Sequence, residues 1–164
     1  MRFLLLIFST GLLLAETIAG LQWTAPSSWT NQGSRPMRAA TYSVPGDGEC
    51  VVYFFGESQG GSVEANLDRW KGQMIGPDGK MADAKIAKRT VHGLLVTTIE
   101  SRGDYNGAAG PTAQEKVIKQ GYQLLGAIIE GPGGNVFIKF AGPATTVEAN
   151  HAKFEQLISS FDKQ

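Results

Sequence analysis

Two groups of residues have the types and spacing to bind something. Asn66, Arg69, Trp70 and Gln73 recur at helical intervals, so Asn66, Trp70 and Gln73 are neighbours and Arg69 sits one step around. An amide, a guanidinium and a second amide on one face can hold a ligand or a partner. The same residues can serve the fold, with Trp70 in the core, Asn66 and Gln73 bonded to loop backbone, and Arg69 paired with an acid. Arg102, Asp104 and Tyr105 form the second group. Tyr105 stands between Asp104 and Asn106-Gly107, an aromatic with polar flanks suited to touching a ligand or to pinning its own loop. Glu100, Arg102 and Asp104 fall on one face if extended, where Arg102 neutralises its neighbours. The tripeptide Arg102-Gly103-Asp104 also spells an integrin ligand, but three residues recur by chance. The expected binding surface joins the 102–112 loop to the polar side of the first helix, through Asn66, Arg69, Gln73, Arg102, Asp104 and Tyr105.

Catalytic chemistry has weaker footing. A hydrolase or transferase would have to assemble His92, Glu100 and Asp104 as dispersed acid–base groups. Cys50 lies in an apolar run, where a lone cysteine behaves as a small hydrophobe and not as an activated thiolate. Gly56 and Gly61 have the first spacing of a phosphate loop, yet Ser62 follows where that motif needs lysine. No Gly-x-Ser-x-Gly elbow occurs, and the two histidines, His92 and His151, lack metal-ligand spacing. No catalytic residue, metal ligand or cofactor is therefore assigned.

The elements that must position these residues follow from composition and pattern. The chain has 164 residues, 42% of them hydrophobic, with 15 cations against 15 anions. Zero net charge carries no basic excess for nucleic acid, and the apolar content excludes a disordered chain. One cysteine excludes an intramolecular disulfide framework. Met1-Arg2 precedes an apolar run from Phe3 to Ala15, and Thr17 and Ala19 put small residues three and one before a cut. Residues 1–20 read as a secretory signal peptide cleaved after Ala19 or Gly20, since the run is shorter than the ~20 residues of a membrane span. Residues 21–164 read as one exported α+β domain, periplasmic or extracellular, with no membrane span after cleavage.

Within that domain, Trp23 and Trp29 look like anchors of a short N-terminal strand covering the core. Strands are expected over 37–44 and 49–55, then a helix over 62–75 with Ser62 as its cap. Two strands follow, 83–91 and 93–101, turning at His92-Gly93. Residues 102–121 read as a long polar insert, shortened by a helix over 113–119. Strands over 122–130 and 135–141 flank the turn Gly131–Gly134. A final helix spans 146–161, with Thr145 and Glu148 as a capping box. Hairpin-length links imply antiparallel pairing. The fold class is α+β: a mostly antiparallel sheet of about six or seven strands flanked by two main helices.

Several local motifs point the same way: Trp23, Pro26 and Trp29; Met37-Arg38-Ala39-Ala40; Asn66, Arg69-Trp70 and Gln73; Tyr122-x-Leu124-Leu125-Gly126; and Lys139-Phe140-x-Gly142-Pro143. Across most of residues 21–164 this layout resembles a group of exported bacterial proteins that is similar to the PsbP/Mog-like fold, an α/β/α sandwich. That resemblance implies an accessory or binding role and brings no catalytic residues. The function expected is an exported, non-enzymatic binding or accessory domain of the bacterial envelope, with a protein or small molecule as partner. The alternatives are the dispersed-residue enzyme above and a structural subunit of an envelope assembly.

Overall fold

The computed structural model describes residues 15–107 and 117–164. Most of the signal segment, residues 1–14, lies outside the described residues, as do residues 113–116 of the expected insert helix. The centre of the fold is a hairpin of β9 (Lys119–Gly131) and β10 (Gly134–Pro143), paired in register from Gly131↔Gly134 to Tyr122↔Pro143. Leu124 to Ile129 contains no charged residue, and apart from Gly126 every side chain in it is buried. A strand that is apolar on both faces needs cover on both faces.

The remaining strands extend the hairpin on each side, and every pairing is antiparallel. On one side lie β5 (Gly48–Tyr53), β4 (Arg38–Val44) and the short β3 (Thr30–Asn31). On the other lies β8 (Leu94–Tyr105), which pairs along its length with β7 (Ala84–Val91) and at its end with β6 (Met74–Ile75). The central sheet thus has eight strands. A second, three-stranded sheet joins β1 (Glu16–Ile18), β2 (Leu21–Trp23) and β11 (Asp162–Lys163).

Alternation divides the core in two. One face carries Val52, Leu125, Ala127, Ile129, Ile138 and Phe140 against Trp23, Trp29, Phe154, Leu157, Ile158 and Phe161. Helices α2 (Ala144–Ala149) and α3 (His151–Ser159) lie there, and Trp23 stacks on Phe161 with centroids 5.2 Å apart. The tryptophans therefore cover the core as their positions suggested. The other face carries Ile99, Leu124, Ile128 and Phe137 under Leu67 and Trp70 of α1 (Val63–Gly72). The Ser62 hydroxyl caps α1 by accepting from the Ala65 N–H at 3.1 Å.

Four expectations change. The 102–121 insert is shorter, because Arg102–Tyr105 continue β8 and Lys119–Gly121 begin β9; the long pairing partner overrides their polar composition. Lys119, expected at the end of a helix, is therefore a strand residue. The final helix is two, broken at Asn150, whose side chain accepts from Trp29 Nε1 at 3.1 Å and donates to the Thr146 carbonyl at 2.9 Å. Pro143 occupies the N-cap position of α2 without a side-chain bond, so the Thr145–Glu148 capping box does not form.

Helix α1 sits close because Gly126 has no side chain. A Cβ there would stand 2.6 Å from the Trp70 ring and 2.7 Å from Ile99. Gly126→Ala should destabilise the domain by about 1–3 kcal/mol through overpacking. A urea midpoint equal to that of the unsubstituted protein would refute this account of the α1 contact.

Candidate functional site

Beyond the C-terminal end of α1, the same sheet face turns polar. Phe137 and Lys139 of β10 point toward it, while Ile138 and Phe140 point into the opposite core. Lys139 pairs in register with Val51 on one side and Gly126 on the other, so it stands near the middle of the sheet. Its ammonium donates to the Tyr105 hydroxyl at 3.0 Å and, longer, to Gln73 Oε1 at 3.4 Å. It also lies 5.6 Å from the centroid of the Tyr105 ring. Gln73 is in place because it is the C-cap residue of α1, and its carbonyl accepts from the Asn106 N–H at 2.7 Å. The end of the first helix and the start of the loop after β8 are thereby tied together.

Aromatic side chains frame the cluster. Tyr105 stacks on Tyr122 at 5.9 Å, with Lys119 over the Tyr122 ring at 5.6 Å. On the far side Tyr53 stacks on Phe55, and Arg38 lies over Tyr53 at 5.6 Å while pairing with Glu49 at 3.4 Å. Burial pushes the Lys139 ammonium below the ordinary lysine range; Tyr53 and Glu49 oppose this, while Arg38 and Arg69 add to it. Burial raises the Tyr105 phenol, offset by Lys119 and Arg38, so its hydroxyl keeps its proton. Among the described residues, no carboxylate lies within ion-pair distance of Lys139.

That arrangement has a definite chemical capacity. An ammonium has three donors, and Lys139 directs two at neutral acceptors. The Tyr105 hydroxyl accepts from Lys139 and keeps a donor of its own. The pair can therefore offer two N–H or O–H bonds to an oxygen that carries negative charge.

The structure gathers only part of the expected surface. Gln73 and Tyr105 meet at Lys139, and Arg69 is close enough to act on it electrostatically. Asn66 is buried and donates to the carbonyls of Gly60 and Ser62, holding the loop before α1. Arg102 does not neutralise Glu100 and Asp104: alternation keeps it on the α2–α3 face with Glu100, opposite Tyr105, and there it pairs with Glu148 at 2.9 Å. Asp104 accepts from the Gly121 N–H at 3.1 Å and pins the neighbouring strand. Lys139, Arg38, Glu49 and Tyr122 were not among the expected site residues. One feature of the sequence does mark Lys139: it interrupts Phe137-Ile138-Lys139-Phe140 with a charge at an inward position.

The dispersed acid–base groups do not converge. His92 sits in the β7–β8 turn with Nδ1 2.7 Å from the Phe161 carbonyl. Glu100 lies eight residues on, six of them along β8 and so roughly 20 Å at strand rise, and accepts from Gln123 Nε2. Glu100 lies 3.9 Å from His151, not from His92. Cys50 is fully buried, and burial raises its thiol well above the ordinary value. Among the described residues no group of three or more metal-ligating side chains occurs, and no helix is long and apolar enough to cross a membrane.

A buried ammonium bonded to neutral partners costs stability. Lys139→Met should therefore raise the melting temperature, by about 2–4 °C for each 1 kcal/mol recovered. The pH dependence follows in sign: below the unfolded-state value the unfolded chain binds the proton more tightly, so Lys139 contributes stability that rises with pH toward 10.5. The substitution should flatten that rise in thermal melts between pH 7 and 10. A large loss of stability would show that Lys139 serves the fold.

No protein family matches this chain, and no curated protein does. Solved structures do. Cyanobacterial PsbP (CyanoP) from Synechocystis sp. PCC 6803 superposes with a TM-score of 0.57 at 13% identity, over 95% of this chain and 96% of that one. LpqN of Mycobacterium tuberculosis, involved in cell envelope biogenesis, gives a TM-score of 0.53 at 8% identity, over 87% of this chain and 82% of that one. The chain has the PsbP-like α+β fold, which its motifs and layout resembled.

Proposed function

We propose that this chain is an exported, non-enzymatic binding domain of the bacterial envelope, and that it captures a small molecule or protein through an anionic group at Lys139. The observation that carries this reading is the part-buried ammonium of Lys139, held by Tyr105 and Gln73 without a carboxylate counter-ion among the described residues. Such a group costs stability in the free protein and gains a charge-assisted bond in the complex. Flat tyrosine faces beside it supply rigid contact area with little entropy to lose. Export is supported by the apolar leader with its charged start. The same fold serves in LpqN, a protein involved in cell envelope biogenesis.

Native mass spectrometry of protein purified without denaturation from the exporting cell tests the reading. The unsubstituted protein should carry an added mass or partner that denaturation releases. Lys139→Met and Tyr105→Phe should reduce its occupancy at least tenfold while remaining folded. Arg102→Ala, on the opposite face, should leave occupancy unchanged. Equal occupancy in all four proteins would remove Lys139 from the binding surface, and loss in Arg102→Ala alone would move the surface to α2.

A further inference from the structure

We infer that the signal peptide is cleaved after Ala15, and that Glu16–Ile18 remain in the exported protein as its first strand. The inference rests on the export reading and is independent of the Lys139 surface. Small residues at Thr17 and Ala19 draw the cut to Ala19 or Gly20, but those residues belong to the folded domain. β1 pairs with β2 as Glu16↔Trp23, Thr17↔Gln22 and Ile18↔Leu21. Ile18 packs against the larger core. The turn between the two strands is made by Ala19 and Gly20, both in the left-handed region, with φ of 53° and 74°.

Both turn residues are also bonded to distant parts of the chain. The Ala19 carbonyl accepts from the Gly133 N–H at 3.1 Å, at the tip of the β9–β10 hairpin. The Gly20 carbonyl accepts from the Gln164 N–H at 3.0 Å. A chain beginning at Gly20 or Leu21 would lose the first of these bonds and the whole of β1.

The side chain of Glu16 makes the larger difference. Trp23 Nε1 donates to the Tyr42 hydroxyl at 2.9 Å, and that hydroxyl donates to the Glu16 carboxylate at 2.7 Å. Asn31 Nδ2 donates to the same carboxylate oxygen at 2.9 Å. Trp23 and Tyr42 are each only 1% exposed. Removing Glu16 takes away the acceptor of the Tyr42 hydroxyl proton and of the Asn31 amide, two bonds that hold β1 to the sheet. Cleavage after Ala15 keeps the relay whole. At that cut Ala15 is the small residue at −1 and Leu13 stands at −3, so the fold rather than the peptidase pattern carries the choice.

The test is the intact mass and N-terminal sequence of the full-length precursor's product, recovered from the exported fraction of a bacterial cell. The product should begin at Glu16. Ala19→Asn should leave that N-terminus unchanged, since asparagine tolerates the left-handed turn but is a poor residue before a cut. Ala15→Leu should abolish the Glu16 terminus. Protein starting at Glu16 should also melt several degrees above protein expressed from Leu21, and Glu16→Gln should fall between them. An exported product beginning at Gly20 or Leu21 overturns the inference while leaving export intact. A precursor retaining Met1 inside the cell overturns both.

Discussion

A hairpin that is apolar on both faces governs this structure. Residues 124–129 cannot be left against water on either side, so the chain must bring a layer to each face. The α2–α3 pair and the two N-terminal tryptophans cover one face. The other has a single helix of ten residues. Ten residues at 1.5 Å each span about 15 Å, less than the length of the long strands beneath. The cover therefore ends before the sheet does, and the sheet beyond it is free to carry polar groups.

That shortfall explains where Lys139 sits and what surrounds it. Its place in β10 is inward by alternation, and its neighbours in register are Val51 and Gly126. A long apolar stem suits such a position, with the charged end reaching the nearest polar atoms. The helix end supplies Gln73 and the strand end supplies Tyr105, so the two edges of the cover converge on one ammonium. A charge at that position costs stability, the trade that the proposed binding role of Lys139 would explain.

Much of the fold was legible in the sequence because it rests on local rules. The alternation around Gly131–Gly134 and His92–Gly93 and the Ser62 cap each depend on residues near one another. The features that were not legible depend on partners far along the chain. Arg102–Tyr105 become strand because β6 and β9 pair with them. The last helix breaks because Asn150 serves Trp29, 121 residues away. Of the expected site, Gln73 and Tyr105 were visible as polar residues near apolar stripes, yet their common partner in β10 was not.

The sequence by itself determined the α+β class, the antiparallel hairpins, the apolar leader and the zero net charge, because periodicity, turn chemistry and composition are local properties. Only the tertiary structure decided which face each polar residue serves. It sends Arg102 to Glu148, Asp104 to the β9 backbone and Asn66 to its own loop. It draws Gln73 and Tyr105 to Lys139 across 66 and 34 residues, and Glu16 to Tyr42 across 26. Sheet register and the short reach of one helix set those meetings, and neither is written in any single stretch of the chain.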